Sequence, residues 1–263
     1  MIDCCRILPY VKSLIRDAGA AVIDIYNRDF LISKKSDESF ITEADLCSEA
    51  IIINALSHII PDIPIVSEES MSRGMKVDVS DGRFWLVDPL DGTNEFIKHS
   101  NEFTINIGLI WDGEPCLGVL YVPIFDLLFS GIPGSATLEE QKGLSTVISC
   151  RSVPCNGITV LSSRDFHDSN KFDNFIKQFN VTKILNLGSS LKFALIAMGK
   201  ADLYPRFGQT MEWDTAAAHA ILKAAGGSIC LFDGAQLFYG KPKFNNPPFV
   251  ACGIPTSYIC NLN

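Results

Sequence analysis

Two aspartates lie three positions apart at the end of an apolar run in the middle of the chain. Positions 85–93 read Trp-Leu-Val-Asp-Pro-Leu-Asp-Gly-Thr. Pro89 favours a turn after the run, and Gly92 allows another group to approach the backbone closely. Carboxylates that face one point repel each other unless a cation joins them, and hard oxygen ligands favour Mg²⁺ or Mn²⁺ over zinc. The segment therefore predicts a divalent metal site. The alternative is a turn with two solvated aspartates.

A short helix is predicted to open directly after this turn, at positions 94–97. The backbone N–H groups of Gly92 and Thr93 would then point outward from the start of that helix. Outward N–H groups at a helix start are a geometry that binds phosphate. The same turn could therefore hold both a metal ion and a phosphate group.

Three further acidic segments lie at the ends of predicted elements. Positions 67–70 read Ser-Glu-Glu-Ser after a strand, and positions 211–215 read Met-Glu-Trp-Asp-Thr at the start of an apolar helix. Positions 42–45 read Thr-Glu-Ala-Asp, which is typical of a helix cap. Each segment by itself is typical of a cap or of a solvated loop.

Charge and cysteine usage limit the class of partner. The 263-residue chain has 22 Lys and Arg against 30 Asp and Glu, a net charge of −8. This negative charge opposes binding to nucleic acid or to an anionic membrane, so we expect neither partner. An anionic substrate would need local cations or metal to hold it. Nine cysteines without a CxxC pair favour reduced thiols. No signal peptide or membrane-spanning stretch is visible, so we expect a cytoplasmic protein without a transmembrane segment.

Hydrophobic periodicity predicts two domains. Helices are expected at 3–27 and 43–60, then strands at 65–67, 84–88, 103–111, 116–122 and 125–130. Positions 131–157 are rich in Gly, Pro, Ser and Cys, and the domain boundary is predicted near the end of this segment. Strands at 158–162, 182–187 and 202–206 then alternate with helices at 169–179, 190–198 and 215–225, which is typical of an α/β unit. We expect an α+β domain at 1–157 that carries most metal ligands and an α/β domain at 158–263 that completes the site.

The order of the motifs resembles the inositol monophosphatase superfamily. Thr-x-x-Asp, Ser-Glu-Glu, Trp-x-x-Asp-Pro-Leu-Asp-Gly-Thr and Trp-Asp-Thr-Ala-Ala follow one another here, and the resemblance runs from about Ile7 to Phe249. Members are metal-dependent, lithium-sensitive phosphomonoesterases. The resemblance implies an αβαβα layered sandwich with the active site between its two halves.

The resemblance also implies roles, residue by residue. Two or three Mg²⁺ ions, or Mn²⁺, would be held by the side chains of Glu68, Asp88, Asp91 and Asp214 and the backbone carbonyl of Leu90. Asp45 and Thr93 would orient and deprotonate the attacking water, and Glu69 would hold the water of a third metal. The expected substrate-binding residues are Leu90, Asp91, Gly92, Thr93, Ser189, Lys192, Arg206 and Asp214.

A second set of motifs is similar to the bacterial CysQ-type 3′(2′),5′-bisphosphate nucleotidases of that superfamily. It comprises Asp-Gly-Thr-Asn-Glu-Phe at 91–96, Glu-Phe-Thr-Ile-Asn-Ile at 102–107, Gly-Ser-Ser-Leu-Lys-Phe at 188–193 and Leu-Tyr-Pro-Arg-Phe at 203–207. Those enzymes remove the 3′-phosphate from adenosine 3′,5′-bisphosphate, a by-product of sulfate activation. Inositol monophosphatases usually lack the Lys and the Tyr-Pro-Arg. Lys192 and Arg206 are therefore candidates to bind the 5′-phosphate of a phosphorylated nucleotide.

Two alternatives stay open at this point. One is an inositol monophosphatase or another sugar-phosphate phosphatase, and the other is an inactive sensor of a phosphorylated ligand. Asn94, Phe40 and the segment 131–154 depart from the CysQ-type pattern, which leaves the sugar and base contacts open. CysQ-type relatives are soluble or peripheral, so contact with the inner membrane is a further option. The sequence predicts a solvated loop at Lys34-Lys35 and a packed core position for His219.

Overall fold

The computed structural model describes residues 2–132, 134, 137–141, 143–164 and 169–254. Its α-helices are α1 (Cys4–Tyr26), α2 (Glu43–Ile59), α3 (Glu68–Ser72), α4 (Thr93–Ile97), α5 (Ser169–Ile176), α6 (Leu191–Ala197) and α7 (Glu212–Ala224). Its strands are β1 (Ile32–Lys34), β2 (Phe40–Thr42), β3 (Ile65–Ser67), β4 (Arg83–Asp91), β5 (Thr104–Trp111), β6 (Glu114–Val122), β7 (Leu127–Gly131), β8 (Thr137–Gln141), β9 (Leu144–Ile148), β10 (Ile158–Ser163), β11 (Val181–Leu187), β12 (Leu203–Arg206), β13 (Thr210–Met211), β14 (Ser228–Leu231), β15 (Asn245–Asn246) and β16 (Phe249–Cys252).

The first half of the chain builds a seven-stranded sheet in the order β3-β4-β5-β6-β7-β8-β9. β3 runs parallel to β4, and the other neighbours are antiparallel. β5 and β6 are joined by a two-residue turn in which Asp112 and Gly113 both have positive φ, 52° and 78°. Asp and Gly are the residue types that such a tight hairpin favours.

The two faces of this sheet pack against different helices. On β4, Trp85 and Val87 contact the apolar side of α1 and α2, whereas Phe84 and Leu86 point to the layer that contains α6 and α7. α7 lies very close to the sheet, since a Cβ atom on Gly118 would stand 2.1 Å from the Ala217 carbonyl oxygen. Glycine on the sheet and alanine on the helix permit this approach, which holds α7 close against β5 and β6.

A five-stranded sheet in the order β11-β10-β12-β16-β14 lies on the other side of α6 and α7. α5 covers its outer face, where Phe172 packs with Val160 and Val250. The layers are thus α1 and α2, the first sheet, α6 and α7, the second sheet, and α5. The predicted αβαβα sandwich is confirmed. The chain passes from the first sheet to the second between β9 and β10, and the division into two domains at residue 157 stays a prediction.

Some element limits differ from the prediction. The segment 131–157, for which no helix or strand was predicted, contains the hairpin β8–β9, which extends the sheet by pairing with β7. Residues 133, 135, 136 and 142 of that segment lie outside the described residues. α7 begins at Glu212 rather than at 215, because the Asp214 carboxylate accepts a hydrogen bond from the Met211 N–H at 2.8 Å and so caps the helix.

Candidate active site

Three carboxylates from three different elements converge on one point. Glu68 opens α3, Asp88 lies in β4 and Asp214 lies in the first turn of α7. One oxygen atom from each lies within 4.8 Å of the others. These three residues, called the acidic trio below, were all predicted as metal ligands, and the fold brings them together.

Burial is the main cause that raises the pKa of Asp88 and of Asp214 well above the ordinary range. The charges of Glu68 and Asp91 raise both values further. The pKa of Glu68 is also raised by burial, against the opposing effect of Lys35. Buried, mutually repelling carboxylates are stabilised by a divalent cation, and a set made only of oxygen donors fits Mg²⁺. The acidic trio therefore has the chemistry that a magnesium site requires.

Asp91 lies beside the trio, and one of its oxygens is already engaged. Its Oδ2 accepts hydrogen bonds from the backbone N–H of Ser190 at 2.5 Å and from the Ser190 hydroxyl at 2.6 Å. Ser190 Oγ also lies 2.8 Å from the Asp214 carbonyl oxygen. Ser190 thus ties the end of β4 to the start of α7, and metal binding by Asp91 stays a prediction.

The turn that separates Asp88 from Asp91 is a bulge in the pairing of β4 with β5. The N–H of Leu90 donates to Asp88 Oδ1 at 3.1 Å, which orients that carboxylate. Gly92 follows with φ of 95°, and a Cβ atom there would stand 2.9 Å from the Glu102 carbonyl oxygen. Only glycine tolerates both the positive φ and this close approach. The structure thus agrees with the prediction that Gly92 allows another group to approach the backbone closely.

Asp45 and Thr93, the predicted water-activating pair, are in contact. Thr93 Oγ1 lies 3.1 Å from Asp45 Oδ1 and 3.2 Å from the Leu90 carbonyl oxygen. Asp45 Oδ2 accepts the N–H of Thr42 at 2.8 Å and its hydroxyl at 2.6 Å. Burial raises the pKa of Asp45, and the bonds from Thr42 act against that rise. Asp45 therefore caps α2 with one oxygen and presents the other to Thr93.

Lys35 corrects the prediction of a solvated loop. Lys34 is exposed, but the Lys35 side chain is buried and its ammonium group lies 2.7 Å from a carboxylate oxygen of both Glu68 and Glu69. Burial, followed by the charge of Glu68, raises the pKa of Glu69 to about 7. Glu69 Oε2 is buried and has no hydrogen-bond partner in the structure. An unpartnered carboxylate oxygen beside the trio suits the predicted role of Glu69 in holding a water.

The short helix α3, which carries Glu68 and Glu69, is held by a residue of α2. The buried Glu49 carboxylate accepts the N–H of Ser70 at 2.7 Å and pairs with Arg73 at 2.5 Å. Residues 43–60 were predicted as a helix, but the sequence gives no reason to assign Glu49 a role. Its contacts with Ser70 and Arg73 are 21 and 24 positions away.

A cavity of about 190 Å³ extends from Asp91 and Asp214 toward the second sheet. Of the predicted substrate-binding residues, it is lined by Asp91, Gly92, Ser189, Lys192, Arg206 and Asp214. The buried Lys192 ammonium donates to the carbonyls of Leu187 and Ser189, at 3.1 and 2.7 Å. Arg206 donates to Ser163 Oγ at 2.6 Å. Both predicted cations therefore border the cavity, each already bound to a neighbouring group.

Sequence reasoning gave no role to Arg164, which lines this wall, or to Glu102, which binds it. Arg164 lines the cavity, and its guanidinium group binds the carboxylate of Glu102. Glu102 lies in one of the motifs quoted above without an assigned role. His219 is buried, as predicted, and none of the eight cysteines within the described residues forms a disulfide there, with Cys260 outside them.

With this geometry established, comparison with known proteins is informative. The model of the inositol monophosphatase family matches residues 6–250. The chain belongs to the inositol monophosphatase family. The match includes the acidic trio, Asp45, Thr93 and both cations of the cavity, so the predicted superfamily is confirmed.

Three similar proteins carry the name CysQ. The 3′(2′),5′-bisphosphate nucleotidase CysQ of Buchnera aphidicola subsp. Acyrthosiphon pisum is 41% identical over 95% of this chain and 94% of its own. CysQ of Escherichia coli strain K12 is 40% identical over 92% of this chain and 98% of its own. Among solved structures, CysQ from Bacteroides thetaiotaomicron superposes with a TM-score of 0.76 and 31% identity, covering 94% of this chain and 97% of that one.

Proposed function

We propose that this chain is a Mg²⁺-dependent 3′(2′),5′-bisphosphate nucleotidase that hydrolyses adenosine 3′,5′-bisphosphate to AMP and phosphate. The observation that carries the proposal is a single cavity that contains both carboxylates suited to a metal and cations suited to a second phosphate. Asp91 and Asp214 line it together with Lys192 and Arg206. The CysQ relatives, at 40–41% identity over more than nine-tenths of the chain, support the same activity.

The acidic trio, with Asp91 and the Leu90 carbonyl, would hold Mg²⁺ beside the 3′-phosphate. A divalent cation there lowers the charge barrier to attack on phosphorus and to departure of the sugar oxygen. Asp45 accepts a hydrogen bond from the Thr93 hydroxyl, which leaves the lone pairs of Thr93 Oγ1 free to accept from water in one orientation. The bonds from Thr42 keep Asp45 fixed while it does so.

The 5′-phosphate needs its own cations, because the chain carries a net charge of −8. Lys192 and Arg206 are the cations that we assign to it. Arg206 has a buried Nε atom without a hydrogen-bond partner, so its guanidinium group keeps donor capacity within the cavity wall. A charge-assisted contact of this kind contributes about 1.5–3 kcal/mol, or roughly 10–150-fold in binding.

The double variant Lys192→Ala/Arg206→Ala tests this assignment. We expect a KM for adenosine 3′,5′-bisphosphate that is at least roughly tenfold higher, with little change for adenosine 3′-phosphate, which lacks the distal group. The matched control Lys183→Ala/Lys200→Ala removes two charges from exposed positions of the same half. Equal losses on both substrates would show that the pair serves the reacting phosphate or the fold, and would remove the physical reason to prefer a nucleotide over inositol phosphate.

No helix among the described residues is both long and apolar enough to cross a bilayer. A location in the cytoplasm, with or without contact to the inner membrane, stays a prediction from the sequence.

A further inference from the structure

The end of β10 is joined to the loop before α6 by a chain of three groups. Arg164 donates from Nε and Nη2 to the two oxygens of Glu102, at 2.8 and 2.5 Å. Glu102 Oε2 also accepts the backbone N–H of Gly188 at 2.7 Å. The Glu102 side chain is 13% exposed, whereas that of Arg164 is 50% exposed. Glu102 therefore lies between a half-exposed surface cation and a buried backbone group.

The loop held by Glu102, residues 187–190, contacts both an acidic residue and a cation of the cavity. The carbonyls of Leu187 and Ser189 bind the Lys192 ammonium group. Ser190 binds Asp91 through its N–H and its hydroxyl. Ser189 has a positive φ of 47°, a conformation that a non-glycine residue adopts only where its surroundings hold it. The position of this loop thus sets where the distal cation stands.

We propose that Glu102 is a positioning residue for the 187–190 loop and that Arg164 acts through Glu102, not on the substrate. Both oxygens of Glu102 are used by Arg164, so the carboxylate is held in the one orientation that meets the Gly188 N–H. The inference rests on the proposed function only in the choice of substrate. Its consequence is that loss of Glu102 weakens substrate binding while the reacting phosphate keeps its machinery.

Glu102→Ala should therefore raise the KM for adenosine 3′,5′-bisphosphate about tenfold and leave kcat within about threefold. Glu102→Gln keeps an acceptor for the Gly188 N–H and should recover most of the parent KM. The matched control is Arg83→Ala, which breaks the bidentate pair of Arg83 with Asp81, also about half exposed and far along the chain from the loop. An unchanged KM in Glu102→Ala would overturn the proposal.

A double-mutant cycle decides how Arg164 acts. If Arg164 works through Glu102, Arg164→Ala raises KM in the parent background and has no further effect in the Glu102→Ala background. A further increase in that background would mean that Arg164 contacts the substrate directly, and the proposal would be wrong.

Hydrogen exchange gives a readout that needs no substrate. The backbone amides of residues 187–190 should exchange at least about tenfold faster in Glu102→Ala than in the parent or in Arg83→Ala. Unchanged exchange would contradict the positioning role. If the parent fails to hydrolyse the bisphosphate, the proposed function is wrong, and the exchange measurement still decides the role of Glu102.

Discussion

At the scale of single residues, the hydroxyl of Thr93 is held in place by its contacts with Asp45 Oδ1 and with the Leu90 carbonyl oxygen. Thr93→Ala removes the group that would align water and leaves every carboxylate of the acidic trio in place. We expect kcat to fall by roughly 10²–10⁴, which is typical for loss of general-base assistance. Calorimetric titration should show Mg²⁺ affinity close to that of the parent, and Thr93→Ser should keep most of the activity. A normal kcat with a raised KM would instead assign Thr93 to substrate binding.

The acidic trio could be predicted because each member lies at one end of a strand or helix that the hydrophobic pattern predicts. The residues that support the trio could not be predicted in this way. Lys35 lies 33 positions from Glu68, and Arg164 lies 62 positions from Glu102. Such pairs form only once the layers are stacked, and a lysine or an arginine that will be paired looks like any exposed cation in the sequence.

At the scale of elements, a buried residue of α7 makes the free energy of unfolding depend on pH. His219 lies on α7 within the core, where burial lowers its pKa to about 3 from an ordinary value of 6.5. Its Nδ1 lies 3.0 Å from the hydroxyl of Tyr239. Above pH 6.5 the imidazole of His219 is neutral in both the folded and the unfolded chain. Its burial therefore does not reduce the free energy of unfolding in that range. As the pH falls from 6.5 toward 3, the unfolded chain binds a proton that the folded chain does not, so the free energy of unfolding decreases.

The decrease due to His219 is at most about 1.4 kcal/mol per pH unit. Urea unfolding of the parent and of His219→Gln at pH 7.5 and pH 4.5 measures it. We expect the difference between the two free energies of unfolding to shift by about 2–3 kcal/mol, against the parent, at the lower pH. A difference that is the same at both values would mean that the folded protein accommodates the protonated imidazole.

Elements with a buried face were predicted well, and elements without one were not. α1 and α2 were placed within two residues of their observed ends, because apolar spacing, the cap at Thr42 and Pro61 all agree. The strands of the hairpin β8–β9 were not predicted. β9 is an edge strand whose residues are mostly exposed, so its conformation depends on pairing with β8 rather than on an alternating apolar pattern.

At the scale of the whole molecule, the acidic trio couples metal binding to folding. Mg²⁺ at a hundred times its dissociation constant should stabilise the folded state by about 2.7 kcal/mol. Asp88→Asn removes one buried charge, so this variant should lose the Mg²⁺-dependent rise in Tm. In EDTA it should unfold at the parent's temperature or higher, because repulsion within the trio is relieved. Thermal unfolding of both proteins, with and without Mg²⁺, checks this. A parent Tm that does not change when Mg²⁺ is added would contradict the coupling of metal binding to folding.

The most direct test of the proposed activity is phosphate release by the parent protein. Adenosine 3′,5′-bisphosphate and inositol 1-phosphate are compared as substrates, each in Mg²⁺ and in EDTA. We expect kcat/KM to be higher for the bisphosphate in Mg²⁺ and both activities to be lost in EDTA. Hydrolysis that survives EDTA would contradict the metal site at Glu68, Asp88 and Asp214. A preference for inositol 1-phosphate would contradict the assignment of Lys192 and Arg206 to a second phosphate.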